Sequence, residues 1–370
     1  MRRASERRPA RVRLLPWLAT AALLPACTPP WPLFDAWPVD AAEYELEELP
    51  AVLSASYARG HDVYWGLSTG EVVRVADDDP NGPRVSLGAP LDGGPRLLFA
   101  STRGTVFASA DRRSLYRTTD NATWAACLDV PVWRMDEDDE GSLYAGNYTK
   151  DPRHVATLYK STDDGASWTL IFRDPTNDHI HTVRWDSAGQ RLYIAFGDGR
   201  WPRHLTRGEA CSDDRGATFH DLARGPRQGH TDVAFTDDYV IWCSDDQSGR
   251  VFRVRRTDGA LETVFGDAQF VWFGAASGQQ IYAGTMTSGR FGGERAALLA
   301  SDDQGQTWRK LLETSPSAGP YDRGFYAESR ALSAGGWLYC TARDEPPRSF
   351  RVRHVAPSPL HQRPTTEPQP

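Results

Sequence analysis

The chain has 370 residues and a formal net charge of −7; its first 26 residues carry six Arg and one Glu, a surplus of +5, so the rest carries −12. A body that acidic excludes nucleic acid as the main partner. Thirteen Trp, 32 Gly and 26 Pro, with no long run of helical period, exclude a helical bundle and suit many short strands joined by turns.

Met1 to Arg13 is Arg-rich, and Leu14 to Leu24 is an apolar stretch too short to span a bilayer comfortably. Leu24-Pro-Ala26-Cys27 follows. This resembles a bacterial lipobox, with Leu at −3, a small residue at −1 and Cys at +1; the Pro at −2 departs from the usual pattern. The resemblance implies that residues 1–26 are a signal peptide and that Cys27 is lipidated. Such an anchor holds a soluble domain to a membrane without spanning it. Thr28 stands where an inner-membrane retention signal has Asp, which implies the outer membrane or cell surface of a bacterial envelope. An ordinary cleaved signal peptide with a chance Cys is the plainer alternative. Residues 27–42, rich in Pro, Trp and Ala, read as a tether. Residues 356–370, with five Pro, read as a disordered tail.

A short apolar strand recurs between these ends. Its seven copies are Val63-Tyr-Trp-Gly, Val106-Phe-Ala-Ser, Leu143-Tyr-Ala-Gly, Leu192-Tyr-Ile-Ala, Val240-Ile-Trp-Cys, Ile281-Tyr-Ala-Gly and Leu338-Tyr-Cys-Thr. Their spacings are 43, 37, 49, 48, 41 and 57 residues, the period of a four-stranded propeller blade. Each copy reads as the second strand of a blade.

A turn motif, S-x-D-x-G-x-[ST]-W, is interleaved with the strands. Ser161, Asp163, Gly165 and Trp168 carry one copy, and Ser301, Asp303, Gly305 and Trp308 another. Ser212, Asp214, Gly216 and Phe219 differ in the final aromatic, and Thr118-Thr-Asp120-Asn-Ala-Thr123-Trp124 is a shortened form. Asp can accept from backbone amides in a tight turn, Gly supplies positive φ, and the aromatic can pack beneath. The pattern resembles the Asp-box, or BNR, repeat of sialidase-like β-propellers. Asp77 to Gly82 reads as a decayed copy rather than a calcium loop, since Gly88 stands where the twelfth-position Glu would be.

The expected fold is therefore all-β: a seven-bladed propeller over residues 43–355 with four antiparallel strands per blade. The last blade offers three clear strands, Phe325–Ser333, Trp337–Arg343 and Phe350–Val355. The segment at about 43–49 has no partner in sequence and is expected to supply the fourth, closing the ring and removing two exposed edges.

In propellers of this resemblance the turns between third and fourth strands lie on one face. Ligands sit on the other face, near the axis, among loops leaving the second and fourth strands. The long polar loops there supply the candidate ligand-binding residues. After the second strand of blade four come Asp198, Arg200, Trp201 and His204; after that of blade six, Arg290 and Glu294. Leading into blade four are His179 and His181, into blade five His230 and Asp232, and into blade seven Tyr321, Arg323, Glu328 and Arg330. Together they can hold a sugar or an anion. His179 and His181, two apart on a strand, point the same way. With His230 and Asp232 they offer a weak metal alternative to plain bonding at the channel rim; no ligand spacing is diagnostic, and no cofactor is otherwise expected. Cys127, Cys211, Cys243 and Cys340 are either two disulfides or buried thiols.

Three functions stay open. The favoured one is a lipid-anchored monomeric binding module for a glycan, peptide or protein. The second is a sialidase-like or other glycoside hydrolase. Its resemblance is incomplete: Phe172-Arg173-Asp174-Pro175 falls after a box rather than before the first one, and Tyr321, Glu328, Arg290, Arg323 and Arg330 match sialidase residue types without a pattern. A paired carboxylate such as Asp198 and Glu328 would be needed for other hydrolysis. The third is an assembly or stability factor, as in photosystem-associated propellers of similar repeat.

Overall fold

The computed structural model describes residues 38–110, 114–148, 155–197, 207–224, 229–245, 249–266, 269–289, 293–327 and 332–355. The expected signal peptide, Cys27, most of the expected tether and the expected tail lie outside the described residues. So do Asp198, Arg200, Trp201, His204, Arg290, Glu328 and Arg330.

Among the described residues every regular element is a strand. They form a seven-bladed β-propeller of four-stranded antiparallel blades. Blades one to five are separate sheets; blades six and seven touch through a single pair, Met286 with Gly324. Inner strands begin blade one at Leu53–Arg59, two at Leu97–Ala100, three at Val132–Glu137, four at His179–Asp186, five at His230–Phe235, six at Phe270–Ser277 and seven at Gly324–Tyr326. All seven recurring apolar segments are second strands. Blade seven's inner strand is shorter than expected, with residues 328–331 outside the description.

The ring closes as its unpaired segment implies. Tyr44–Glu48 pairs antiparallel with Arg348–His354, from Tyr44 opposite His354 to Glu48 opposite Phe350. Just before it, Val39 bridges to Lys310 of blade six.

Blades stack face to face, so a second strand is covered on both sides and reads as a continuous apolar run rather than an alternating one. In blade three Leu143 and Ala145 pack with Phe99 and Phe107 of blade two. Tyr144, pointing the other way, packs with Ile180 and Leu192 of blade four. Gly146 lets the neighbouring blade approach: a Cβ there would sit 2.7 Å from the Ile180 side chain.

The three S-x-D turns and the shortened copy join third to fourth strands. Their aromatics face the preceding blade: Trp168 meets Phe107, Phe219 meets Phe172 and Trp308 meets Phe265. Asp77 lies in the equivalent turn of blade one, buried, and accepts from the Tyr339 hydroxyl and the Gly335 amide of blade seven. Cys127, Cys211, Cys243 and Cys340 are free thiols. Burial pushes the Cys211 and Cys340 thiols up, to about 11 and about 12.

Candidate functional site

The site begins with a defect repeated in the inner strands. Val132 pairs with Asn147 and Arg134 with Gly146, which leaves Trp133 as an extra residue. The same slip leaves Ser54 in blade one, His181 in blade four, Thr231 in blade five and Trp272 in blade six. An extra residue of this kind bends the strand and re-aims its side chain. All five lie near the start of an inner strand, on the face where second- and fourth-strand loops emerge.

Aromatic rings fill that mouth. Trp133 and Trp272 have ring centroids 5.7 Å apart. Blades three and six stand across the ring from one another, so this pair crosses the central channel. Tyr148 packs edge-on to Trp133 at 4.0 Å and lies 4.2 Å from the His179 ring. On the other side Trp272 meets Tyr326 at 6.3 Å. Two residues before Trp272, Phe270 carries Tyr321 stacked on it, 5.1 Å apart and 11° from parallel. Tyr321 is 48% exposed and sits at φ 60°.

His179 and His181 share one hydrogen bond, Nε2 to Nε2 at 3.0 Å. His181 Nδ1 lies 3.1 Å from the His230 carbonyl oxygen. A carbonyl only accepts, so His181 Nδ1 carries hydrogen. A neutral His181 then presents a lone pair at Nε2, and His179 donates to it.

His230 itself turns away from the mouth. Its Nδ1 donates to the Glu209 carboxylate, and its ring packs on Trp242 and Phe252. Asp232 is fully buried and accepts from the Thr182 hydroxyl at 2.9 Å and the Gly274 amide at 3.1 Å. It thereby ties the inner strands of blades four, five and six. Among the described residues, His179, His181, His230 and Asp232 do not bring three ligand atoms within 4.8 Å of one another. Glu294 is buried and accepts from the Ser288 amide and hydroxyl and the Gly289 amide. Arg323 donates to Glu345 at 3.0 Å and to Ser315 at 3.1 Å.

The structure therefore brings His179 and His181 to the mouth and sets Tyr321 on its rim. It places His230 and Asp232 between blades, Glu294 within the loop that bears it, and Arg323 against Glu345 of the next loop in blade seven. Sequence reasoning missed Trp133, Tyr148, Phe270, Trp272 and Tyr326. One signal was available: Val132-Trp133 and Val271-Trp272 occupy matching places early in first strands.

No family model matches the chain, and no curated protein matches it. Solved structures do, among them three with a TM-score of 0.54. YCF48 bound to a D1 peptide is 11% identical, over 86% of this chain and 99% of that one. An ancestral GH74 enzyme is 11% identical over 83% of this chain, which spans only 44% of that one. The β-propeller domain of Cps50 (Swd1) from Myceliophteria thermophila is 10% identical, over 84% of this chain and 99% of that domain. Likeness at such identity defines the class, a β-propeller, and leaves function to the site.

Proposed function

We propose that the chain is an exported, lipid-anchored Asp-box propeller that binds a peptide, protein segment or glycan at the aromatic mouth of its channel. The carrying observation is the band from Tyr148 through Trp133 and Trp272 to Tyr326, with Tyr321 half exposed at its edge. Flat rings offer large contact area at small entropic cost and suit a sugar face or an extended segment. Glu209, Asp232 and Glu294 each accept hydrogen bonds from the protein's own donors. YCF48, of the same fold, is bound to a peptide, and that supports a peptide among the ligand classes.

Glycan and peptide arrays probed with the full chain test the reading, followed by calorimetry on the best hit. Trp133→Ala is expected to weaken binding at least tenfold, the loss of about 1.4 kcal/mol at a contact centre, and Tyr321→Ala, at the rim, to weaken it less. Leu170→Ala, on an outer strand, serves as the control and leaves it unchanged. Unchanged affinity in both mouth variants sinks the proposal, and turnover of an arrayed glycoside would turn the reading to the hydrolase. The anchor is tested separately: palmitate labelling in a bacterial host should vanish in Cys27→Ser.

A further inference from the structure

Among the described residues one group of three metal-ligating side chains gathers its ligand atoms within 4.8 Å of one another: Glu43, Asp302 and His354. It lies on the face opposite the aromatic mouth. Glu43 directly precedes the closing strand, and His354 ends the strand that pairs with it. Asp302 comes from the turn between third and fourth strands of blade six. All three are half-buried. His354 Nε2 stands 3.7 Å from Asp302 Oδ2. Glu43 Oε2 meets Arg309 Nη1 at 2.6 Å, which leaves its other oxygen for a second cation.

A second, independent observation lies beside the cluster. Tyr44 is only 8% exposed, and its hydroxyl is closed off from solvent with no hydrogen-bond partner among the described residues. Its ring meets the His354 ring edge-on at 5.1 Å. Buried hydroxyls ordinarily have a partner, and an orphan calls for an ion or a water.

We propose that Glu43, Asp302 and His354 bind a divalent transition-metal ion of the zinc type, which pins the closing strand of the ring to blade six. One imidazole nitrogen and two carboxylate oxygens make the borderline donor set that zinc accepts, with water in the fourth position. That water would give the Tyr44 hydroxyl its partner. Calcium, which takes six to eight oxygens, is poorly served by an imidazole.

The test is cobalt and zinc titration of the full chain without a histidine tag. One Co2+ per chain is expected, with the intense visible bands of a four-coordinate site, and Zn2+ should displace it. His354→Ala and Asp302→Asn should each weaken binding about 100-fold or more, at least what losing an outer-shell partner costs. Asp302 sits in a turn, so Asp302→Asn keeps the test valid if His354→Ala disturbs closure. Arg309→Gln, which removes the competing cation, should tighten binding severalfold. Zinc should also raise the melting temperature of the natural chain by a few degrees and leave Asp302→Asn unmoved. No saturable binding, or natural affinity in both ligand variants, overturns the proposal.

Discussion

Asp163 shows how one residue stiffens a blade. Its Oδ1 accepts from Ser161 Oγ at 2.8 Å and the Ser167 amide at 2.9 Å, and its Oδ2 accepts from Ser167 Oγ at 2.6 Å. Asp214 and Asp303 repeat all three bonds. The Ser167 hydroxyl, then its amide, hold the Asp163 carboxyl down to about 2, against about 3.9 for a free Asp. A lowered carboxyl stabilises fully above its unfolded value and loses that contribution as pH falls through its folded one. Melting temperature should therefore drop between pH 4 and pH 2. In Asp163→Asn with Asp214→Asn the drop should be shallower; equal slopes for variant and natural chain would refute the assignment. Gly165 carries the other half of the turn. It sits at φ 77°, and a Cβ there would lie 2.5 Å from the Phe107 ring. Gly165→Ala should cost roughly 1–3 kcal/mol from backbone strain alone, read by urea denaturation.

At the scale of the element, blades two to six share a feature hidden in their outer strands. Each carries one extra residue opposite the third strand: Cys127, Ile171, Leu222, Val264 and Leu311. Each packs between blades. The slip turns an apolar side chain inward on a strand whose neighbours face water, which fits an edge to the next blade. Leu311 is 1% exposed, whereas Leu170, on the outer strand of blade three, is 48% exposed. Leu311→Ala should then cost about 2–5 kcal/mol and Leu170→Ala no more than about 0.5; similar losses from both would show that the slip carries no packing. The same feature explains what sequence could and could not reveal. Second strands were legible because burial on both faces writes a continuous apolar run, as in Leu143-Tyr144-Ala145. The mouth was half legible. His179 and His181 stand out as a pair, while nothing in the apolar pattern of the sequence separates Trp133 and Trp272 from the aromatics of other strands. Whether an aromatic points between blades or into the channel depends on a one-residue slip in hydrogen bonding. Apolar periodicity does not record that slip.

At the scale of the molecule the weak point is the place where the ring is sewn shut. The closing strand carries Glu45 and Glu47 directly opposite Arg353 and Arg351. Each pair is ion-paired, Glu45 with Arg353 Nε at 2.6 Å and Glu47 with Arg351 Nε at 2.7 Å. Both guanidiniums lie over the Trp337 ring, at 4.4 and 4.0 Å. The Glu side chains are nearly half exposed, so each pair contributes about 1 kcal/mol at most, less in salt. The larger share comes from Tyr44 and Leu49, both buried, at roughly 1.5–3 kcal/mol for such a side chain. Backbone pairing that hides two strand edges adds to it. A chain that begins at residue 50 should therefore melt well below the full chain and self-associate through the bared edges of blades six and seven. Glu45→Lys with Glu47→Lys, by contrast, should lower stability modestly and only in low salt. A synthetic peptide of residues 38–49 added to the shortened chain should restore its melting temperature in a saturable way. If the shortened chain melts with the full one, or the peptide has no effect, closure by this strand is ornamental and the other blades hold the ring by packing alone.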